Sequence, residues 1–249
     1  MSRFTIFNNL HRFFISGFLL LFACQIAFWF KAEKIKPNIH IVPKAPSAQL
    51  VKISSFGDSQ FYFRLNALKI ENAGDSFGRF TPLKNYNYQD LYNWFKILDG
   101  LDSQSKYVPS LAANYYSMTQ NKPDTKYIVQ YLDEYASRDI DKNWWWLYQA
   151  LYIAKNTLKD QDLALQLAYK LSENNNPNAP FWTKQFPAFI KADMGDDCGA
   201  FLVIKDILQD ASASKISVEE MDFMRYFIGK RISALKEKNF DPRKCQIKK

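Results

Sequence analysis

The chain has 249 residues and a mass of 29.1 kDa, which suits one or two domains and excludes a mini-protein that needs staples to fold. Its formal charge of +8 first suggests nucleic acid or an anionic membrane as a partner. The excess is segregated, however: residues 1–50 carry six basic groups against one acid, residues 230–249 eight against two, and residues 51–229 nineteen against twenty-two. The body is mildly acidic, which argues against nucleic acid.

After a short basic tail over 1–12, Phe13 to Phe30 reads FFISGFLLLFACQIAFWF, eighteen residues without a charge. As a helix it is about 27 Å long, enough to cross a hydrocarbon core of about 30 Å when interfacial aromatics extend it. Trp29 and Phe30, followed by Lys31, Lys34 and Lys36, form an aromatic belt and a basic collar, with Arg3 and Arg12 at the other end. Two cleavable alternatives stay open. Leu21-Phe22-Ala23-Cys24 has the outline of a lipoprotein site, although Phe22 is bulky and the next residues stay apolar. An ordinary signal peptide needs a small-x-small site, which Ala23 between Phe22 and Cys24 serves poorly. The favoured reading is an uncleaved single-pass anchor in a bacterial inner (plasma) membrane, with the phospholipid bilayer as its partner. The basic residues on the two flanks nearly balance. A short basic tail before an apolar run is the usual inward-facing start of a signal-anchor, so the body is read as periplasmic.

Residues 31–46 include three prolines and read as an extended linker. A helical segment over 47–106 follows. It has a short helix over Ser47–Phe56 and a second running from an Asp58 N-cap to about Ala73, closed by Gly74. In that second helix Phe61, Leu65 and Leu68 share one face, which Phe63 and Ile70 widen toward a core. Residues 74–87 are a loop, and Tyr88 to Leu98 begins an amphipathic helix. There is no long alternating β-branched run, so the fold class is all-α.

From 107 to 214 the chain repeats in a frame of 36 residues. Leu111 falls over Leu147, Tyr115 over Leu151 and Tyr116 over Tyr152, while Ile128, Ala164 and Ala200 align, as do Leu132, Ala168 and Ile204, and Tyr135, Leu171 and Ile207. Trp146 falls over Trp182. Each unit has a first helix (108–120, 143–157, 179–194), a polar break, and a second helix (125–137, 161–173, 198–211). Helix pairs at a fixed period build a solenoid in which no unit buries its apolar face alone.

The pattern resembles tetratricopeptide repeats, paired antiparallel helices with a 34-residue period. Trp144 and Leu147 match the opening W-x2-L; Ala164, Ala168 and Leu171 follow as the seam of the second helix, with Pro177 after it, and Gly195-Asp196 with Ala200 match the interhelical turn. Three features depart: Tyr148 stands where the family has Gly, the first two units carry four extra residues between their helices, and Pro187 interrupts a first helix. The chain also resembles membrane-anchored alphaproteobacterial proteins in its QFYFR, GDSFGR, LDSQSKYVPSLAA and WWWL stretches, which implies a family but no activity. The tetratricopeptide resemblance implies an inner groove at Lys106, Tyr116, Lys142, Trp145, Gln149, Tyr152 and Gln185, a basic and aromatic strip suited to an acidic peptide.

A capping helix over 215–238 opens at Ser217-Val-Glu-Glu220, a capping box, with Met221, Met224, Ile228, Ile232 and Leu235 as its apolar stripe. The basic tail over 239–249 is expected to be unstructured. Three indoles in a row at 144–146 point in three directions on a helix. Packing accounts for Trp144 and Trp146, which leaves Trp145 as the outward anchor.

Histidine occurs only as His11 and His40, outside the folded part, so His-based dyads, zinc and haem are not expected in the body. Eight glycines form neither GxGxxG nor GxxxxGK[ST], which removes the nucleotide-cradling loops; no cofactor and no metal are expected. Cys24, Cys198 and Cys245 make no CxxC pair, and a Cys198–Cys245 disulfide requires an oxidising compartment. The leading expectation is a membrane-anchored scaffold or adaptor, not an enzyme, that binds another envelope or membrane protein. A carboxylate-using envelope enzyme and a lipid or glycan carrier are the alternatives.

Overall fold

A computed structural model describes residues 2–32, 41–76, 79–209 and 216–245. The chain divides into two compact units, Met1–His40 and Ile41–Lys249. In the first, α1 spans Ser2–Ala32. It starts well before Phe13, so the tail expected over 1–12 is helical from Ser2 onward; residues 2–12 contain neither Pro nor Gly to stop it. The window Phe13–Lys31 has a mean hydropathy of 2.1, and none of it is buried. This helix is long and apolar enough to cross a membrane, properties it shares with signal sequences. The collar residues Lys34 and Lys36, and His40, lie outside the described residues.

Among the described residues, the regular structure of the second unit is helical apart from a two-residue antiparallel ladder, Asp75–Ser76 with Arg79–Phe80, inside the loop expected at 74–87. Its α-helices are α2 (Ala48–Ser54), α3 (Ser59–Glu71), α4 (Tyr88–Leu101), α5 (Tyr107–Asn114), α6 (Thr125–Ala136), α7 (Ile140–Ile153), α8 (Gln161–Ser172), α9 (Phe186–Asp193), α10 (Asp197–Gln209) and α11 (Val218–Glu237). Most starts are fixed by a side-chain oxygen accepting from a backbone N–H that would otherwise lack a partner. Asp58 accepts from Phe61 at 2.8 Å, Asp139 from Lys142 at 3.1 Å, Asp160 from Leu163 at 2.9 Å and Ser217 from Glu220 at 3.2 Å. Gly74 closes the turn after α3 at φ +81°, where a Cβ would lie 2.1 Å from the Tyr86 hydroxyl oxygen, so no other residue fits there. After α7, Ala154–Leu158 forms one π turn that ends on Lys159 in the left-handed region. That turn takes up part of the extra length between the helices.

From α5 onward each helix packs on its sequence neighbour: α5 on α6, α6 on α7, and so on through α11. The second helices follow the frame of 36. Ile128, Ala164 and Ala200 are fully buried, as are Leu132, Ala168 and Ile204. The first helices do not. The stripe buried along α5 and the 3-10 turn Tyr116–Met118 that follows it is Val108, Ala112 and Tyr116, whereas in α7 it is Asn143, Leu147 and Leu151, one residue earlier in the frame. One residue turns a helix by about 100°, enough to exchange buried and exposed faces. Tyr116 is therefore a core residue while Tyr152 is exposed.

Three further expectations are corrected. The linker ends earlier than Pro46: Val42 is buried, and the Pro43 carbonyl accepts from Trp94 Nε1 at 2.7 Å, which ties this stretch to α4. In α3 the buried face is Phe63, Asn66, Ala67 and Ile70, while Phe61, Leu65 and Leu68 face away from the core. The C-terminal tail is held as far as Cys245: Pro242–Lys244 forms a 3-10 turn and Cys245 is disulfide-bonded to Cys198, their Cα atoms 5.5 Å apart. Asp197 adds ion pairs from α10 to Arg231 of α11, at 3.2 Å, and to Lys238 just beyond it. Residues 210–215 and 246–249 lie outside the described residues.

A buried carboxyl joins α4 to α6. Asp99 accepts from the Tyr131 hydroxyl and from Arg138, both at 2.9 Å, and its side chain is 1% exposed. Burial pushes its pKa up to about 6, against the lowering by Tyr131 and Arg138. The native state therefore holds this proton more tightly than the unfolded chain. The resulting stabilisation is fully present below about pH 4 and is lost as pH rises through 6, on the order of 3 kcal/mol. Urea melts of wild type and Asp99→Asn at pH 4 and pH 7 are expected to show this pH-dependent difference, with the variant gaining relative stability at pH 7. Parallel pH profiles for the two proteins would contradict it.

Candidate functional site

On α7, Lys142, Trp145, Gln149 and Tyr152 recur at spacings of three and four, which puts them on one helix face. Trp145 is 44% exposed and Tyr152 51%. The Lys142 ammonium donates to Gln104 Oε1 at 2.7 Å. Lys106 is exposed at the N-cap position of α5. Two of the expected groove residues lie elsewhere. Tyr116 is enclosed by Tyr86, Tyr88 and Phe95 and donates its hydroxyl to the Ile70 carbonyl, so it offers no surface to a partner. Gln185 is also fully buried; its Nε2 donates to Glu220 Oε2 at 2.8 Å. That bond occupies the carboxylate that a reciprocal capping box would turn back on Ser217.

The α7 face belongs to a longer aromatic ladder. Trp145 lies 5.7 Å from Trp144 and 5.4 Å from Tyr148, centroid to centroid. Tyr148 is the junction, with Tyr152, Trp182 and Phe186 at 6.4, 5.1 and 5.6 Å. The rings continue from Phe186 to Phe189 at 5.7 Å, and from Phe189 to Phe223 and Phe227 of α11 at 5.9 and 5.4 Å. Edge and tilted geometries dominate, as the ring quadrupole favours. These side chains come from α7, the 3-10 turn Phe181–Lys184, α9 and α11. Trp146, by contrast, is buried.

The ladder ends in a cleft of about 380 Å³ lined by Trp182, Gln185, Phe189, Ser217, Glu219, Glu220 and Phe223. Gln185 Oε1 is buried beside it with no hydrogen-bond partner among the described residues. A second concavity of about 480 Å³ is lined, among the described residues, by α11, around Tyr226, Lys230 and Glu237. The ladder therefore has a cation, Lys142, near one end and carboxylates at the other. The carboxylates at that end are absent from the basic and aromatic strip that the tetratricopeptide resemblance implies.

Tyr148, Trp182, Phe186, Phe189 and Phe223 were not among the expected site residues. The available signal was Tyr148 itself: a large ring at a position where the resembled family has Gly fills the space between helices and links the rings on both sides. Among the described residues no group of three or more His, Cys, Asp and Glu side chains is placed to hold a metal ion. Compared with known protein families, curated proteins and solved structures, the chain matches none.

Proposed function

We propose that this protein is a single-pass scaffold or adaptor of the bacterial inner membrane, whose periplasmic, tetratricopeptide-like helical array binds another envelope or membrane protein along the aromatic ladder. The observation that carries the reading is the continuous run of rings from Trp145 to Phe223, exposed at both ends and partly buried between them. Trp and Tyr provide large contact area at low entropic cost and dominate protein interfaces. The shared burial frame of α6, α8 and α10 supports a repeat origin, with α11 as its cap. The Cys198–Cys245 disulfide supports an oxidising compartment for the body, and α1 supplies the anchor.

The glycan-carrier alternative has one specific support, the aromatic and carboxylate lining of the cleft beside Gln185. The two readings separate experimentally. Chemical crosslinking and affinity capture from native membranes are expected to recover a defined protein with wild type and with Lys205→Ala on α10. Trp145→Ala is expected to weaken that recovery by about 30-fold, the size of an interface hot spot, and Lys142→Ala by less. Equal recovery with Trp145→Ala and wild type would contradict the adaptor reading. Binding of envelope glycans that is lost in Trp182→Ala would favour the carrier.

A further inference from the structure

The face of α2 and α3 turned away from the core is apolar. In α3, Phe61, Leu65 and Leu68 stand opposite the buried residues and are 63, 38 and 57% exposed. At 100° per residue, exposed Arg64 and Lys69 fall on the two flanks of that stripe. In α2, Leu50 and Ile53 are 51 and 69% exposed, with exposed Lys52 between them in sequence. The turn joining the helices carries Phe56, 94% exposed, at φ +47°. A bulky side chain in left-handed backbone is an uncommon and costly conformation. Here it holds an aromatic ring out of the core. Lys52, Arg64 and Lys69 make no ion pair among the described residues.

We propose that the α2–α3 face rests on an anionic phospholipid bilayer, with Ile53, Phe56 and Phe61 at the boundary between headgroups and acyl chains and Lys52, Arg64 and Lys69 toward the phosphates. An apolar stripe edged by basic side chains is the pattern of helices that lie in a membrane interface, and cationic groups near an anionic leaflet are attracted to it. Chain length supplies the second argument, which rests on α1 being a membrane anchor. Eight residues separate Ala32 from Ile41, a reach of at most about 32 Å even when fully extended. With α1 as a span, Ile41 can lie no farther than that from the bilayer, so lipid is within reach of this unit, and the basic flanks favour it over a protein as the occupant.

Power-saturation electron paramagnetic resonance tests this on the full chain in vesicles of phosphatidylethanolamine and phosphatidylglycerol. Cys24→Ser removes the free thiol, the Cys198–Cys245 disulfide stays, and a nitroxide is placed in turn at Ile53→Cys, Phe56→Cys and Phe61→Cys. Phe22→Cys in α1 and Tyr152→Cys in α7 serve as references. The expected result is collision with oxygen several-fold above that with a water-soluble nickel complex at 53, 56 and 61, and the reverse at 152. Nickel accessibility at 53, 56 and 61 equal to that at 152 would overturn the proposal, as would shielding from both relaxants, the signature of a protein cover. The label at 22 reports the anchor separately. If 22 is lipid-immersed and 56 and 61 are aqueous, this proposal fails and the anchor stands. If 22 is aqueous and 56 and 61 are immersed, the anchor fails and this proposal stands.

Discussion

Removing the Cys198–Cys245 disulfide, by Cys198→Ser, Cys245→Ser or reduction, is expected to destabilise the C-terminal part of the protein by about 4 kcal/mol. The bond closes a loop of 47 residues, and cross-linking a loop of that length restricts the unfolded chain by about that much in the loop-closure model. Local packing offers little to replace it. Among the described residues, the cluster shared by α9, α10, α11 and the segment leading into α11 buries only Ala188, Ala200, Ile204, Ile216 and Met224, three of the five being small side chains or a flexible Met. The Asp197 pairs with Arg231 and Lys238 join the same elements, but the lysine is largely exposed, and exposed pairs contribute little. Urea melts with and without reductant should therefore show an early transition in the reduced protein, with α11 released first and the α4–α8 core melting later. A single transition unchanged by reductant would show that the bond adds nothing to stability.

Tyr116→Ala is expected to destabilise the protein by about 3–5 kcal/mol, the range for deleting a fully buried aromatic. Its ring fills space between Tyr86, Tyr88 and Phe95, its hydroxyl donates to the Ile70 carbonyl, and its own carbonyl accepts from the Tyr88 hydroxyl at 2.8 Å. The substitution leaves a cavity and removes one hydrogen bond from the Ile70 carbonyl, which keeps the Ala73 N–H at 3.1 Å. Tyr152→Ala, at the equivalent place in the frame of 36, is expected to cost less than about 1 kcal/mol, because that side chain is exposed and surface changes are small. Thermal melts of the two variants test the one-residue offset between α5 and α7 directly. Similar losses in both would mean that the frame holds for the first helices as well.

That offset shows where sequence reasoning reached its limit. The second helices were legible because Ile128, Leu132, Ala164, Ala168, Ala200 and Ile204 lie on single, fully buried stripes that any helical period reveals. The N-caps Asp58 and Ser217 were legible because an acceptor side chain before an apolar run has a local cause. The faces of α3 and α5 were not, since an apolar stripe does not say whether protein or another phase covers it. Phe61, Leu65 and Leu68 form as regular a stripe as Phe63 and Ile70 do, and the core took the latter. The linker was misjudged at Ile41–Pro43 because its prolines read as extended chain, which is compatible with packing when Trp94 supplies the donor for the Pro43 carbonyl. The aromatic ladder draws rings from three separated segments, so only Trp145 and Tyr152, which share one helix face, could be grouped from the sequence. Asp99 carried no local mark; its partners Tyr131 and Arg138 lie 32 and 39 residues away.

The ladder as a protein-binding surface is tested most directly by photo-crosslinking in living cells, with a photoreactive phenylalanine analogue placed at Trp145, at Tyr152 and, as an off-ladder reference, at Lys205 on α10. The account predicts a discrete adduct of one higher mass from positions 145 and 152 and none from 205. Absence of any adduct from the ladder, or the same adducts from all three positions, would contradict it.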